Sequence, residues 1–507
     1  SGAVDRRWPA DGVPVCSAPG DQWATVVLAD GAGGVLVAWH DQRSLYNLDI
    51  YAQHVLASGV VDPAWPRDGL VVCAAPNEQS FPVMAGDGAG GAIVAWKDAR
   101  NGVTDVYAQH VLASGLVDPA WPANGLAVCT AGGGQHPQAL LPDDMGGALV
   151  VWNDLRHEDN DVYAHHILAS GRLDPAWPAE GLAVATGPKE QGNARMVTDG
   201  GDGALISWTA TYRGANGTYI GYYDLYAHHL LASGVLDPAW PPRGLGICTA
   251  PGDQLGAIGM PDGNGGAFAV WQDERREYGE IYAQHLLAEG MVDSAWPVDG
   301  LPIITGPPFN RSGGRIAPDG SGGVIMVWNE VGIDDWEDIR TQHLLGSGTL
   351  DPAWPPMGYP VSAAPRSQDE FVIVAGAPGH AIVAWKDGRN GFLNDDIYAR
   401  RINVHSVGKP AGKGRGLSLE ARRAGPAARE VALGFELPIA EAVSLEVFDV
   451  AGRRVRTLVA RQDLGAGPHR VTWDGADDAG TPIRHGVYLA RLSGERESLT
   501  RKLIVLE

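Results

Sequence analysis

The sequence predicts an all-β protein, in which a seven-bladed β-propeller of four-stranded blades is followed by a second, smaller β domain. The first observation is a repeat with a period of about 56 residues. The second is that each repeat reads as short strands separated by Gly, Pro, Asn and Asp, with no sustained helical periodicity. Two tryptophans mark each repeat, one near the end of the second strand and one in a Trp-Pro step. They are Trp39, Trp96, Trp152, Trp208, Trp271, Trp328 and Trp385, and Trp8, Trp65, Trp121, Trp177, Trp240, Trp296 and Trp354.

The second repeat shows how each unit is divided into strands. We predict strands over Phe81–Gly86, Ala92–Trp96, Asp105–Leu112 and Gly125–Thr130, because Val, Ile, Tyr and Trp favour strands. An Asp-Gly-x-Gly-Gly step joins the first two, and its glycines allow the positive φ of a tight hairpin. A repeated four-stranded sheet is the blade of a propeller.

The phase of the repeat predicts how the ring closes. The chain opens on the end of a unit, at residues 7–16, and the last unit lacks that ending after residue 401. We therefore predict that the N-terminal segment supplies the outer strand of the seventh blade, pairing Val13–Cys16 with Asp396–Ile402, which leaves no open sheet edge there. The alternative is an open solenoid with a half-unit at each end.

The repeat stops near residue 402, which predicts a propeller over residues 1–402, a linker over 403–416 and a separate domain over 417–507. The linker is rich in Gly and basic residues. The tail alternates like a set of strands. The predicted strands are Val431–Leu437, Val443–Asp449, His469–Trp473, Gly486–Leu492 and Leu499–Leu506.

The tail carries a pattern that resembles a known family. Its parts are Phe435-Glu436-Leu437-Pro438, residues 443–455, Val471-Thr472-Trp473-Asp474-Gly475, and Gly486-Val487-Tyr488. This pattern is similar to the Ig-like β-sandwich of the flagellar hook-capping family, which in turn resembles type IX secretion sorting domains. The repeats resemble tandem repeats of large exported bacterial proteins. The resemblance implies an Ig-like β-sandwich, bacterial export and an extracellular or cell-surface location.

Composition narrows the function classes. The formal net charge is −22, and an acidic ring repels phosphate backbones, so we expect no nucleic-acid partner. No apolar run is long enough for a transmembrane segment. The start Ser1-Gly2-Ala3 fits a chain from which a signal peptide was removed. The four cysteines occupy one repeat position in different units, which predicts separate reduced thiols rather than disulfides. They are Cys16, Cys73, Cys129 and Cys248.

Five repeats carry a Trp-x-Asp-x-Arg motif, which we interpret as a lock inside each blade. Trp would fill the space between blades, while Asp and Arg pair with each other or with loop backbone. The alternative is a ring of lectin-like sites in which Trp stacks on a sugar. The motifs are Trp39, Asp41, Arg43; Trp96, Asp98, Arg100; Trp152, Asp154, Arg156; Trp271, Asp273, Arg275; and Trp385, Asp387, Arg389.

Two repeated features invite a metal, and we predict none at either. A His recurs in six units, but successive copies diverge around a ring and a metal needs converging ligands. Each Asp-Gly-x-Gly-Gly turn offers one carboxylate, whereas calcium takes six to eight oxygens. The tail loop with Asp474, Asp477 and Asp478 is a better calcium candidate. We expect no other cofactor.

Candidate recognition loops are where units depart from the repeat. All lie between the second and third strands, so they share one face of the disc. The alternative is that they are merely variable loops. The candidates are His157, Tyr212, Tyr219, Tyr222, Tyr223, Asp334, Asp335 and Trp336.

No nucleophile with an adjacent base is visible, so the sequence predicts that the chain is not an enzyme. We therefore expect a secreted or cell-surface structural and binding protein. Its propeller would be a scaffold for self-association or for other surface proteins, as in a filament or lattice, and its sandwich would serve export or anchoring. The alternative is a carbohydrate-binding propeller or a polysaccharide-active enzyme with a glycan partner.

Overall fold

The computed structural model of the protein is all-β and divides into two compact units, Ser1–Val404 and His405–Glu507. The residues it describes are 13–44, 47–213, 219–276, 279–304, 310–331, 337–362, 364, 366–376, 378–388, 396–404, 418–423, 431–437, 441–449, 452–465, 467–494 and 498–505. No helix occurs in these ranges.

The described strands of the first unit form seven consecutive antiparallel sheets. The first sheet contains β1 (Gln22–Ala29), β2 (Val35–Asp41), β3 (Asp49–Val55) and β4 (Leu70–Cys73). The second contains β5 (Gln79–Gly86), β6 (Ala92–Asp98), β7 (Asp105–Val111) and β8 (Leu126–Cys129). The third contains β9 (Gln135–Pro142), β10 (Ala148–His157), β11 (Asp159–Leu168), β12 (Arg172–Leu173) and β13 (Leu182–Ala185). The fourth contains β14 (Lys189–Thr198), β15 (Ala204–Arg213), β16 (Tyr219–Leu230) and β17 (Leu245–Cys248).

The remaining sheets of the first unit repeat this meander. The fifth contains β18 (Gln254–Pro261), β19 (Ala267–Asp273), β20 (Glu280–Leu287), β21 (Met291–Val292) and β22 (Leu301–Ile304). The sixth contains β23 (Asn310–Pro318), β24 (Val324–Val331), β25 (Glu337–Leu345), β26 (Thr349–Leu350) and β27 (Tyr359–Ser362). The seventh contains β28 (Gln368–Ala375), β29 (His380–Asp387) and β30 (Asp396–Asn403).

The hairpin turn between the first two strands shows why the repeat keeps its glycines. In the second sheet the carboxylate of Asp87 accepts hydrogen bonds from the backbone N–H groups of Ala89 (2.7 Å) and Gly91 (2.8 Å). A Cβ atom on Gly91 would lie 2.4 Å from the carbonyl oxygen of Val111, so no larger residue fits there. The turn thus predicts the boundary between β5 and β6.

The apolar core of the first unit lies between consecutive sheets. One buried cluster joins the first and second sheets, and comparable clusters join each following pair up to the sixth. The Trp of the Trp-Pro step belongs to these seams. Trp121 packs against the position of Gly171 in the next unit, and its indole N–H donates to the carbonyl of Ala169 (3.1 Å). Each sheet is therefore held mainly by its immediate neighbours.

The predicted closure by Val13–Cys16 is wrong for these residues. Among the described residues they form no strand, and none of them pairs with β30. They are held instead by the first sheet: Val15 and Cys16 pack on its apolar cluster, and the backbone N–H of Ser17 donates to Asp68 (2.9 Å). Side-chain contacts to one neighbouring sheet are sufficient to place the segment without a backbone ladder to the other.

The second unit contains two antiparallel sheets that share one buried cluster, which includes Leu433, Phe435, Leu445 and Trp473. The first sheet contains β31 (Ser418–Arg423), β32 (Val431–Leu437) and β35 (Gly467–Trp473). The second contains β33 (Glu441–Asp449), β34 (Arg454–Leu464), β36 (Gly486–Ser493) and β37 (Ser498–Val505). The five predicted strands match β32, β33, β35, β36 and β37. β31 and β34 were not predicted, because both are edge strands rich in charged residues.

Candidate functional site

The Trp-x-Asp-x-Arg motif forms a compact polar cluster in four of the sheets. In the second sheet the buried carboxylate of Asp98 accepts from the indole N–H of Trp96 (2.7 Å) and from Nε and Nη2 of Arg100 (2.8 and 2.6 Å). The guanidinium also donates to the carbonyl of Asn124 (2.8 Å) and lies 3.8 Å from the ring centroid of Tyr107. The same set recurs around Asp41, Asp154 and Asp273.

The fifth copy of the motif is described only in part. Trp385 donates to Asp387 (2.8 Å), while Arg389 lies outside the described residues. The five motif tryptophans are at most 5 % exposed, which leaves no ring face free for a sugar. Their role as locks between blades stays a prediction.

The cysteines belong to the same clusters. Nη2 of Arg100 lies 3.3 Å from Sγ of Cys73, and Cys16, Cys129 and Cys248 make the equivalent contact with the motif arginine of the following sheet. All four are free thiols. Burial raises the pKa of Cys73 and Cys248 to about 12 and that of Cys129 to about 11, so these three stay protonated and unreactive at neutral pH.

The repeated His sits between two carboxylates. In the sixth sheet Nδ1 of His343 lies 2.8 Å from Asp351, and its Nε2 lies 3.0 Å from the turn residue Asp319. Because ionised carboxylates only accept hydrogen bonds, satisfying both contacts requires a proton on both ring nitrogens. The copies centred on the other histidines are the same: His54, His110, His166, His229 and His285. A doubly protonated ring has no lone pair to offer a metal.

Metal ligands do not converge elsewhere in the described residues, where no group of three His, Cys, Asp or Glu side chains is placed to hold an ion. In the tail loop, the carboxylates of Asp474, Asp477 and Asp478 accept from the backbone N–H groups of Ala476, Ala479 and Thr457. Asp474 and Asp477 thus hold their own turns, and Asp478 bonds to the backbone of β34. Calcium binding by these three carboxylates stays a prediction.

The structure describes half of the predicted recognition residues. Tyr212 and Tyr222 are 51 % and 56 % exposed on the hairpin of β15 and β16. Tyr223 is half-buried, and its backbone N–H donates a hydrogen bond to the carboxylate of Asp253 (3.0 Å). His157 is exposed at the end of β10. The side chain of Tyr219 and all of Asp334, Asp335 and Trp336 lie outside the described residues.

A ladder of aromatic rings, which the sequence did not predict, crosses the first three sheets. Trp23 on β1 meets His40 on β2 edge-to-face (4.8 Å between ring centroids), and His40 meets Phe81 on β5 (5.7 Å). Phe81 in turn meets His136 on β9 (5.2 Å), and Nζ of Lys97 lies 5.8 Å from the Phe81 ring. We call Trp23, His40, Phe81 and His136 the aromatic ladder.

Two of the four ladder residues, Trp23 and Phe81, are exposed to water. Trp23 is 40 % exposed and Phe81 is 48 % exposed. Phe81 has φ 53°, in the left-handed region that bulky residues avoid, and it lies at a bulge in β5. The aligned residues Asn193, Gly256, Gly313 and Glu370 also have positive φ, so this conformation belongs to a bulge that recurs in the repeat. Phe81 is the one bulky aromatic residue among them.

The two histidines of the ladder are neutral. Burial lowers the pKa of both His40 and His136, and the charge of Lys97 lowers that of His136 further. Nδ1 of His40 accepts from the backbone N–H of Phe81 (3.4 Å), which places its proton on Nε2. The ladder is therefore an uncharged aromatic surface near neutral pH.

The ladder and the predicted recognition loops share one edge of the sheets. The start of β1 pairs with the end of β2, and the end of β2 pairs with the start of β3, so the loops between second and third strands leave from the edge where Trp23 lies. The same order holds in the third and fourth sheets. His157, Tyr212 and the ladder therefore lie along the same edge.

A cavity of ≈ 20 Å³ lies between the fourth and fifth sheets, lined mainly by apolar residues such as Met196, Phe268 and Leu286. It has room for about one water molecule. It is a packing gap and is too small for a sugar.

Comparison with known proteins matches part of the second unit to a family. Residues 425–498 match the FlgD Ig-like domain family. The resemblance seen in the sequence of the tail is confirmed. A search of curated proteins found no significant match.

Several solved structures have a similar fold. The polysaccharide lyase Uly1 is 9 % identical and covers 79 % of this chain and 94 % of its own, with a TM-score of 0.45. PorZ, a surface component of the type-IX secretion system of Porphyromonas gingivalis, is 11 % identical and covers 98 % of this chain and 61 % of its own (TM-score 0.36). An endo-arabinase from Bacteroides thetaiotaomicron is 12 % identical and covers 54 % and 96 % (TM-score 0.29).

These similarities contradict the prediction that the chain is not an enzyme. A lyase, an arabinase, a glycoside hydrolase and sialidases are among the structures with a similar fold. The lack of a recognisable nucleophile and base in the sequence did not justify excluding enzymatic activity. In the described residues, no helix is long and apolar enough to cross a membrane.

Proposed function

We propose that the first unit binds a polysaccharide across the aromatic ladder, and that the chain is an exported bacterial protein. The observation that carries the proposal is the ladder itself: Trp23 and Phe81 are exposed aromatic residues on the inner strands of neighbouring sheets, joined by the ring of His40. Aromatic faces bury large areas with few rotamers to fix, which makes them effective binding surfaces. Successive faces suit a chain of sugar rings.

The ladder includes a residue type that the other repeats do not share at the aligned position, as is expected of a binding site. The residue that aligns with Phe81 is Ala24, Pro137, Asn193, Gly256, Gly313 and Glu370 in the other sheets. Structural positions of the repeat keep their residue type, as the turn aspartates do. An exposed aromatic ring at one copy alone is not needed to hold a sheet, and this supports a role in binding.

Export is supported by the second unit. The match of residues 425–498 to the FlgD Ig-like domain family supports an Ig-like sandwich, and the family resemblance of the tail implies export. The unit shares a single buried cluster between its two sheets, as a β-sandwich does. A surface location would bring the ladder to extracellular polysaccharide. Self-association and assembly into a lattice stay predictions.

For the architecture, we propose a closed ring in which the seventh sheet packs against the first. Apolar side chains are exposed on both: Val27 (63 %) on β1, and Val372 (56 %), Val374 (56 %) and Ile382 (45 %) on the seventh sheet. The other sheets cover such residues with a neighbour. Closure would bury them in the same way and would leave no free face.

Replacing Val374 with Asp tests this closure. If the face is covered in solution, a charge buried there should lower the unfolding free energy by about 2–4 kcal/mol, measured by urea denaturation. The matched control is Val298→Asp, because Val298 is 87 % exposed. Equal stability of the two variants would contradict a ring closed through this face.

Binding is tested with a panel of purified polysaccharides by affinity electrophoresis and calorimetry. We expect Trp23→Ala and Phe81→Asn each to weaken binding by about 30-fold, as for the loss of a central aromatic anchor of about 2 kcal/mol. Asn suits the left-handed position of Phe81, because the aligned Asn193 has φ 54°. The same samples assayed for new reducing ends show whether binding is followed by bond cleavage.

The control is Met145→Ala, which removes another exposed apolar side chain (81 %) from a hairpin turn of the third unit. It should bind like the unmodified protein. The proposal fails if the panel shows no binding, or if Met145→Ala weakens binding as much as Phe81→Asn does.

A further inference from the structure

In the fourth sheet, a position that carries a ring in the ladder has no side chain. The inner strand of each sheet, which is its first strand, contains an aligned residue that is Gln in six sheets and Arg311 in the sixth. The position comes directly after this residue. Its occupants in chain order are Trp23, Ser80, His136, Gly192, Leu255, Ser312 and Asp369. The sheet that follows the sheet of His136 therefore carries glycine there.

Neither the backbone nor the surrounding packing requires glycine at residue 192. Its φ lies outside the left-handed region, so a residue with a side chain could adopt its conformation. A Cβ atom built on Gly192 would lie 3.4 Å from Nδ2 of Asn160 and 3.8 Å from Nδ2 of Asn153, which are ordinary contact distances. Apart from its neighbours in the chain, no other described atom would lie within 4 Å. The glycine therefore leaves open a space that two amide groups of the third sheet border.

The two amides lie beside the ladder and are partly open to water. Asn153 is opposite His136 in the pairing of β10 with β9, so it is next to the last ring of the ladder. The backbone N–H of Asn160 donates to Oε2 of Glu190 on β14 (3.3 Å), which ties this part of β11 to the fourth sheet. Both asparagines and Gly192 are half-buried. A ligand that lies along the ladder can therefore reach them.

The amide oxygen of Asn153 lacks a hydrogen-bond donor. It is buried and accepts no hydrogen bond from the described residues. A buried carbonyl oxygen without a donor costs free energy, and a hydroxyl group of a ligand would remove that cost. Rotation about χ2 exchanges the oxygen and the nitrogen of an amide, so either atom can face the open space. A packed seam would satisfy this oxygen, whereas a binding site leaves it for the ligand.

We propose that Asn153, Asn160 and the open space over Gly192 form a binding subsite for an uncharged sugar unit, so that the polysaccharide bound by the first unit is neutral. The inference rests on the proposed function and specifies its substrate class. An amide both donates and accepts without carrying charge, which matches sugar hydroxyl groups. Guanidinium groups, which suit carboxylates and sulfates, do not border this space. The net charge of −22 also disfavours an anionic polymer.

The subsite continues the ladder as one track. The ring of Phe81 lies 5.2 Å from that of His136, His136 is the cross-strand neighbour of Asn153, and the amide of Asn153 borders the space over Gly192. A sugar chain can therefore stack on the rings of the first three sheets and place its next unit against the amides. The stacking supplies affinity, and the amides select a hydroxyl-bearing unit.

The test of substrate class uses pairs of polymers that share a backbone and differ in charge. They are hydroxyethylcellulose and carboxymethylcellulose, methyl-esterified and free polygalacturonate, and agarose and carrageenan. In a pair that binds, calorimetry at low salt should show about tenfold tighter binding of the neutral member, and added salt should reduce the difference. An acidic member that binds as tightly as its neutral partner overturns the assignment of a neutral substrate.

Two variants test the subsite with the neutral polymer that binds. Gly192→Leu fills the open space and should weaken binding about tenfold, and Asn153→Ala removes one amide and should weaken it about fivefold. Because the oxygen of Asn153 has no donor among the described residues, Asn153→Ala should leave the melting temperature unchanged or higher. The matched control is Gly465→Leu in the second unit, where a Cβ would meet no described atom within 4 Å, and it should bind like the unmodified protein.

The outcomes separate the subsite from the proposed function. Binding that falls in Trp23→Ala but is unchanged in Asn153→Ala and in folded Gly192→Leu overturns the subsite alone. Unchanged binding in Asn153→Ala is sufficient to overturn it if Gly192→Leu does not fold. No binding of any of the six polymers overturns the proposed function as well.

Discussion

Replacing Asp154 with Asn is expected to lower the unfolding free energy of the first unit by about 3–5 kcal/mol. The carboxylate of Asp154 is fully buried and accepts from Trp152 Nε1 (2.8 Å) and from Nε (2.9 Å) and Nη2 (2.6 Å) of Arg156. Asn has the same shape but no charge, and its amide places a donor against other donors. The guanidinium of Arg156 is then left without its counter-charge in the seam. Urea denaturation followed by tryptophan fluorescence measures the loss.

The matched control is Glu370→Gln, which neutralises a carboxylate in an exposed ion pair. Glu370 has a side chain that is 73 % exposed, 3.2 Å from Nζ of Lys386. Exposed pairs contribute about 1 kcal/mol or less, so this variant should be close to the unmodified protein. If Asp154→Asn costs no more than this control, the motif does not act as a lock. The fourth sheet already lacks the aspartate, with Ala210 in its place, so the lock is expected to be local to each seam.

Replacing His343 with Gln is expected to cost about 3 kcal/mol at pH 6. His343 has a side chain that is only 5 % exposed and bridges the carboxylates of Asp319 and Asp351. Gln removes the positive charge and leaves two carboxylates facing each other with little water between them. Denaturation of the two proteins in parallel measures the difference.

The cost of this substitution should shrink as the solution is acidified. Burial alone would raise the pKa of Asp351, but the backbone N–H of Ala353 and the ring of His343 hold it below its usual value. Burial would likewise raise the pKa of Asp319, but the hydrogen bonds from Ser321 and His343 lower it by more. A carboxylate with a lowered pKa stabilises the fold above about pH 4, where the unfolded chain is also ionised, and loses that contribution as pH falls through the folded value.

Measurements at pH 6 and pH 3 therefore distinguish an ionic bridge from simple packing. The gap between His343→Gln and the unmodified protein should be larger at pH 6. A gap of the same size at both pH values would contradict the ionic bridge. His157→Gln is the control, because His157 is exposed and its loss should change the unfolding free energy by less than about 0.5 kcal/mol.

The strands of the repeats were predictable because local chemistry determines them. In the second repeat the predicted strands correspond to β5–β8 with shifts of at most two residues at their ends. Apolar alternation and the Asp-Gly-x-Gly-Gly turn act within a few residues, so a sequence window contains the whole cause. The edge strand Arg454–Leu464 was missed because its exposed face carries charges that mask the alternation.

The candidate site was harder to predict, because its residues are distant in sequence. Trp23, Phe81 and His136 come from three units, and only their alignment after the repeated Gln brings them together. A comparison of the repeats position by position within the inner strand would have found them. The loops with insertions depart furthest from the repeat in length, but the aromatic rings do not meet there.

Whether the seven sheets close into a ring depends on packing between residues that are far apart in the sequence, and a local sequence pattern does not determine that packing. Cys16 contacts the first sheet, where Arg43 Nη2 lies 3.4 Å from its sulfur, whereas the phase of the repeat predicted pairing with the seventh sheet. It did not determine whether the preceding residues also join a backbone ladder. That choice depends on the contacts of two sheets at opposite ends of the chain.

The seams between sheets use one set of side chains in each repeat, and the inner-strand edge uses another. Trp121 joins neighbouring sheets, and Asp154 and His343 bond to residues of their own repeat, whereas the position of Phe81 takes aromatic, small, polar or charged residues from one copy to the next. Such a division makes the molecule adaptable. Gene duplication can add a copy whose joints already fit, and later substitutions at the inner rim can then change ligand preference without weakening the framework.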